Sequence, residues 1–435
     1  MRFLAWMLLL FVACARLALA VPGNSLPRHG FLGTSIYVQN GIRIRTVYPD
    51  SAASRAGLRP GDIINSVNGT PLETPADYLK ALHLPAGELL ALVVMHDGQL
   101  KRYSLRLPPA PKERDPAVDT LYQAVSVDGT LRRVLVTVPH GKTEPFPVLM
   151  IVGGIGCYPI DNINPQDAYR NIAHDLGRRG IAVVRLEKSG IGDSQGAPCA
   201  TVDFTTELHS YDVALTWMLK NPLFDSAHVF LLGHSIGGVI APRIALHHRV
   251  AGIVAAETVG IDWFEYELIN ARRQLELSES DPTVVDASMN TSQRCIAALE
   301  LDGRSYQSIL RAHPECQQQL SIYPVSASYM RELAELNIGA PWSSLDIPVL
   351  AVYGRSDFIT DEPDHQRIVD MVNQKHAGTA RLTVIDNMDH YLTVVPTQRE
   401  SLARAEKGAY GVYDHIFSTD IAEWICQSAN THCQK

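Results

Sequence analysis

Ile42-Arg43-Ile44-Arg45-Thr46-Val47 alternates apolar with polar, as a strand with one buried face should. Ser51-Ala52-Ala53-Ser54-Arg55-Ala56-Gly57-Leu58 predicts a short helix ended by its glycine, and residues 59–69 predict a turn, a strand and a second turn. The pattern then changes. Residues 121–127 and 131–138, split by Asp128-Gly129, predict a hairpin. Val148-Leu149-Met150-Ile151-Val152 has no polar interruption, which suits a strand covered on both faces. Beyond it, helix-like stretches at 167–179, at 207–220 and after residue 235 alternate with apolar runs at 181–186, 229–232, 250–255, 348–353 and 381–385. Such alternation predicts an α/β fold with a doubly wound, mostly parallel sheet.

Pro108-Pro109-Ala110-Pro111 and the charged residues after it interrupt both patterns and read as a semi-rigid linker over 108–116. It separates a small β-rich unit, 30–107, from a large α/β unit, 117–435. Within the latter, about ninety residues lie between the apolar runs ending at 256 and beginning at 348, too many for an ordinary loop. An insertion of its own, at about 258–345, is expected there.

Composition refines this. Apolar residues are 46 % of 435, ample for a large core. The first twenty residues read as a secretory signal: Arg2, an apolar stretch from Phe3 to Val12, and Ala18-Leu19-Ala20 as the cleavage site. The stretch is short for a membrane span, so no stable span is expected after cleavage. The product would be exported, to the periplasm or beyond a bacterial cell. Loss of Arg2 and Arg16 would make the formal net charge of −8 more negative still, and no basic run is present, which argues against a nucleic-acid partner. Six cysteines would remain: Cys157, Cys199, Cys295, Cys316, Cys426 and Cys433. An even number in an exported chain points to disulfides, with the local pairings 157–199, 295–316 and 426–433 favoured. No zinc-like spacing or other metal cluster is visible, and no cofactor is expected.

The chemistry centres on Gly233-His234-Ser235-Ile236-Gly237, between an apolar strand and a helix-like run. A serine hydroxyl becomes a useful nucleophile only when exposed on a sharp turn and served by a base. Asp357 follows the strand ending at Tyr353, and His390 follows the strand ending at Ile385, so acid and base come in the required order at strand ends. Glu257, after the strand ending at Ala256, is an alternative acid. His234 is expected to point away from the hydroxyl and to pack, and Asp361 to cap a helix. The oxyanion of the transition state needs two waiting amides. Ile236 supplies one; Ile155 in Gly153-Gly154-Ile155-Gly156 supplies the other, with Gly154 beside it. These glycines lack the Gly-Lys-Ser/Thr continuation of a phosphate loop.

Two resemblances extend the reading. The run SAASRAGLRPGDIINSVNGTPL resembles the PDZ domains of bacterial envelope proteases. That family implies a peptide groove. A bound chain would add a strand beside Ile36, its C-terminal carboxylate held by amides around Phe31, Leu32 and Gly33, with a helix at about 75–83 as the second wall. The larger unit resembles an α/β-hydrolase through LEKSGIGDSQG at 186–196, GRSDFIT at 354–360 and DNMDHYLT at 386–393. The resemblance implies a helical cap over the site. The expected function is a secreted serine hydrolase acting on a small-molecule or peptide acyl substrate, carboxylic ester ahead of peptide. The alternative is a non-catalytic envelope adaptor that binds protein C-termini.

Overall fold

The computed structural model describes residues 26–72, 75–161, 163–279, 281–320 and 323–429. The expected signal segment and Cys433 lie outside them.

The smaller unit runs β1 (Thr34–Val38), β2 (Ile42–Val47), α1 (Ala52–Arg55), β3 (Ile63–Val67), β4 (Thr70–Pro71), α2 (Pro75–Leu82), β5 (Leu89–His96) and β6 (Gln99–Arg106). Its strands pair antiparallel in the order β1-β2-β3-β5-β6, with β4 on β3. The alternation in β2 has the expected effect: Ile42 and Ile44 are fully buried in a core with Leu32, Ala53, Ile64, Leu90 and Val94. Ser51 starts α1 by accepting the amide of Ser54 at 3.0 Å.

The larger unit begins with β7 (Val118–Val127), β8 (Thr130–Pro139) and β9 (Phe146–Val152). It continues with α3 (Ala168–Arg178), β10 (Ala182–Leu186), α4 (Phe204–Leu219), β11 (Phe224–His234), α5 (Gly237–Ala245) and β12 (Gly252–Ala256). The inserted cap holds α6 (Trp263–Ser278), α7 (Pro282–Glu300), α8 (Tyr306–Ala312), α9 (Gln317–Leu320), α10 (Ala327–Ala334) and α11 (Gly339–Ser344). The sheet then resumes with β13 (Val349–Gly354), α12 (Glu362–Asn373) and β14 (Ala380–Ile385), followed by α13 (Gln398–Glu406) and α14 (His415–Ser428).

The eight strands lie in the order β14-β13-β12-β11-β9-β10-β8-β7, and β8 alone runs against its neighbours. Period two along a buried strand sorts side chains to opposite faces. Val148, Met150 and Val152 join one core with α4, α5 and the cap; Leu149 and Ile151 join the other with α3 and α14. Both faces are covered, and that is why β9 reads as an unbroken apolar run. Cys157–Cys199 ties the loop after β9 to the segment before α4, and Cys295–Cys316 closes the cap onto α7.

The stretch 108–116 is docked against the larger unit rather than spanning open solvent. Both carboxylate oxygens of Glu113 meet the Arg185 guanidinium, at 2.9 and 2.7 Å, and both side chains are buried. A second clasp precedes β1. Arg28 pairs with Asp161 at 2.5 Å and with Asp193 at 2.6 Å, while the backbone amide of His29 donates to Asp193 at 2.7 Å. Arg133 donates to the same Asp193 oxygen as Arg28 and to the carbonyl of Leu26. From β2, Arg45 donates to the carbonyls of Lys407 and Gly408. Buried ion pairs with partners distant in sequence set this docking.

Candidate active site

β11 ends at His234 and α5 starts at Gly237, so two residues make the turn. Ser235 sits there in the left-handed region, φ 55°, a strained conformation for a side chain with a Cβ. The turn is this tight because its neighbours are glycines. A Cβ on Gly233 would come within 2.5 Å of the Gly237 carbonyl oxygen, and one on Gly237 would collide with that of Val152. The backbone of Ser235 is gripped from β12: its amide donates to Ala256 O at 3.0 Å, and Thr258 Oγ1 donates to its carbonyl at 2.6 Å. Its side chain is partly exposed and so reachable.

The three separated residues meet. His390 Nε2 is 3.1 Å from Ser235 Oγ, and His390 Nδ1 is 2.9 Å from Asp357 Oδ2. With Nδ1–H donating to the carboxylate, Nε2 is left to accept the serine proton. Asp357 is fully buried and richly supplied with donors: the amides of Ile359 and Thr360 at 2.6 and 3.1 Å, and the Thr360 hydroxyl at 2.5 Å. Burial alone would raise its pKa. The attraction of His390 and these hydrogen bonds outweigh that and hold the carboxyl below its ordinary range. Gln398 fixes its backbone by donating to Asp357 O at 2.7 Å.

Of the two expected oxyanion donors, neither the Ile236 nor the Ile155 amide has a partner among the described residues. Gly154 differs: its amide donates to Tyr169 Oη at 2.8 Å, so it supports the loop and is not a free donor. A Cβ on Gly154 would stand 3.4 Å from that of Ser235, so the loop lies directly over Ser235. Its carbonyl is held by Lys188 Nζ at 2.7 Å and the Tyr158 hydroxyl at 2.9 Å; Lys188 in turn pairs with Glu207 at 2.8 Å. The sequence offered no local sign of Tyr158, Tyr169, Thr258 or Gln398, because each acts across the fold. His234, expected to pack, also carries hydrogen bonds to Tyr169 and to the His390 carbonyl.

Glu257, the alternative acid, adjoins the same site. Glu257, Asp357 and His390 each offer a ligand-type atom within 4.8 Å of the others, the one such group of His, Cys, Asp and Glu among the described residues. Both ring nitrogens of His390 are already engaged, by Asp357 and Ser235.

In the smaller unit β1 is an edge strand, with Ile36 partly buried and α2 alongside. The amide of Phe31 donates to Pro108 O at 2.8 Å, while those of Leu32 and Gly33 have no partner among the described residues. Thr34 Oγ1 and Tyr78 Oη meet at 2.5 Å between β1 and α2.

The larger unit is thus an α/β-hydrolase. Residues 164–394, more than half the chain, match the serine aminopeptidase S33 family, and the chain belongs to it. Residues 43–95 match the PDZ domain family. Along most of its length the chain is similar to esterase EstD of Thermotoga maritima, 23 % identical over 355 residues, covering 80 % of this chain and 79 % of that protein. The PDZ region is similar to part of the periplasmic serine endoprotease DegP of Escherichia coli K12, 30 % identical over 90 residues. That match takes in 20 % of this chain and 19 % of DegP. Among solved structures, Est1E from Butyrivibrio proteoclasticus is 12 % identical with a TM-score of 0.44, over 72 % of this chain and 99 % of its own. Brefeldin A esterase is 17 % identical with a TM-score of 0.43, over 74 % of this chain and 80 % of its own.

Proposed function

We propose that this chain is an exported serine hydrolase that cleaves a carboxylic ester through an acyl-enzyme, with a PDZ module that docks a peptide or protein C-terminus. The observation that carries the reading is the pair of bonds through one imidazole, 3.1 Å to Ser235 Oγ and 2.9 Å to Asp357 Oδ2. Ser235 Oγ attacks the carbonyl carbon while His390 Nε2 takes its proton. The negative charge passes to the carbonyl oxygen, met by the amides of Ile236 and Ile155. His390 gives the proton to the leaving oxygen as the carbon–oxygen bond breaks. Water then repeats the sequence on the acyl-enzyme, releasing acid and restoring the serine. Asp357 stays ionised throughout and keeps the ring in the productive tautomer.

Export is supported by the signal-like first twenty residues and by the disulfides Cys157–Cys199 and Cys295–Cys316. Among the described residues no helix is long and apolar enough to cross a membrane. Ester cleavage is supported by the likeness to an esterase across most of the chain. A second reading, peptide cleavage at an amino terminus, is favoured by the serine aminopeptidase family itself. The deciding experiment compares kcat/KM for p-nitrophenyl esters of increasing acyl length with that for aminoacyl p-nitroanilides. The ester reading expects the esters to be turned over and the anilides not. The reverse order selects the peptidase, and turnover that survives Ser235→Ala rejects both.

A further inference from the structure

Glu257 is a glutamate with no assigned partner chemistry in the triad mechanism, yet it stands at the junction of its parts. It follows β12, whose end grips Ser235: Ala256 O accepts the Ser235 amide, and Thr258 Oγ1 donates to the Ser235 carbonyl. Its own backbone lies in the left-handed region, φ 46°, and its amide donates to Val352 O on β13. The side chain is fully buried and turns towards the acid loop, where Oε1 accepts the amide of Gly354 at 2.6 Å. A Cβ on Gly354 would approach that oxygen to 2.7 Å, so a glycine there gives the carboxyl its room. Oε2 is buried without an acceptor's usual donor, although the carboxyl adjoins Asp357.

Two adjacent buried carboxyls cannot both be ionised without a cation between them. Asp357 receives three donors from its own loop and a fourth from His390, all of which favour its charged form. The single proton therefore belongs on Glu257, whose Oε2 then becomes a donor to Asp357. We propose that Glu257 is a positioning residue of the triad, a neutral acid that hydrogen-bonds the Asp357 carboxylate and joins the serine turn to the acid loop. Burial, then the charge of Asp357, push its proton affinity well above the ordinary glutamate range. The titratable groups around it are Asp357 and Tyr353 from β13 and its loop, His390 and Asp389 from the loop after β14, and His365 from α12. Asp389 is held in its own network by Ser401 and Thr393, and Arg273 of α6, which reaches the acid loop, is engaged by the Ile359 carbonyl and Asp361.

The proposal rests on the serine hydrolase reading, so a fluorophosphonate titration of the wild-type serine comes first; failure there removes the reading itself. The test then follows the acid limb of kcat/KM for p-nitrophenyl acetate. Glu257→Gln keeps a donor towards Asp357 and an acceptor for Gly354 without charge. It is expected to stay within about threefold of wild type, with its limb unmoved. Glu257→Leu loses the donor, leaving Asp357 the stronger partner of protonated His390. Its limb is expected to move up by about half a pH unit or more, with kcat falling about tenfold or more while the serine still titrates. If Glu257 were ionised, Glu257→Gln would remove a negative charge beside His390 and move the limb down. That result, or a Glu257→Leu enzyme of wild-type rate and limb, overturns the proposal. Should Glu257→Leu fail to fold, the Glu257→Gln limb alone decides.

Discussion

Tyr169 donates its hydroxyl proton to Nδ1 of His234 across 2.7 Å. The direction follows from the other side of the ring. His234 Nε2 lies 2.9 Å from the His390 carbonyl, which can only accept, so Nε2 carries the hydrogen and Nδ1 does not. The Tyr169 oxygen in turn accepts the Gly154 amide at 2.8 Å. His234, the residue before the serine in the Gly-x-Ser-x-Gly turn, thus joins the loop of the proposed base to the loop of the proposed oxyanion donors. Tyr169→Phe strips a partner from both His234 Nδ1 and the Gly154 amide. The expected loss is about 1–3 kcal/mol of stability, and kcat should fall about tenfold or more with little change in KM. Thermal melting and steady-state rates on a small ester check this; a wild-type kcat in a destabilised protein would reduce the link to packing.

Thr258→Val should act on the Ser235 turn itself. It keeps shape but removes the hydroxyl that holds the Ser235 carbonyl, leaving that carbonyl the Gly238 amide alone. A loss of about 1–2 kcal/mol in stability is expected. The rate of fluorophosphonate labelling should fall with it, because the strained turn at φ 55° loses one of its clamps. An unchanged labelling rate would mean that the glycines alone hold the serine in place.

Glu113→Ala tests whether the stretch between the two units is docked in solution. It leaves Arg185 buried without its bidentate partner, and removing one member of a buried pair costs about 3–5 kcal/mol. The variant should melt well below wild type, and limited proteolysis should open the chain near 108–116. An exposed linker would show neither effect.

Stability should be greatest on the acid side of neutrality. Burial first, then repulsion from His390, hold His234 neutral, its pKa lowered to about 3; burial lowers His365 to about 4. Unfolded histidines bind protons from about 6.5 downward, so this stability is lost as the pH falls below that value. Several buried carboxyls act in the opposite sense. Burial pushes Glu187 up to about 8, Glu267 to about 7 and Glu300 to about 9. Unfolding lets them ionise, so their contribution weakens as the pH rises from about 4.5 through 7–9. Melting temperatures between pH 4 and 9 should peak between these limits. A rise continuing from pH 7 to 9 would contradict the assignment of neutral carboxyls.

What the sequence discloses divides along physical lines. The serine turn, GRSDFIT and DNMDHYLT are legible because each is a local solution to one problem, a side chain presented at the end of a buried strand. The unbroken run in β9 is legible because two covered faces leave no polar position. Thr258, Tyr169 and Gln398 are not, since they bond Ser235, His234 and Asp357 over separations of 23, 65 and 41 residues. Glu257 was legible as an acid at a strand end, but which of two acids takes the imidazole depends on donors that only the folded loop supplies. Gly154 lay one residue from an expected donor, and a tyrosine fifteen residues away took its amide. The docking of the proline-rich stretch was hidden for the same reason: Glu113 finds its partner 72 residues on.

Mass spectrometry of the protein after reaction with a fluorophosphonate tests the account most directly. The prediction is a single adduct on the peptide containing Ser235, formed at a rate that rises through the titration of one histidine and lost in Ser235→Ala and His390→Ala. No adduct, or an adduct on another serine that persists in Ser235→Ala, would contradict it.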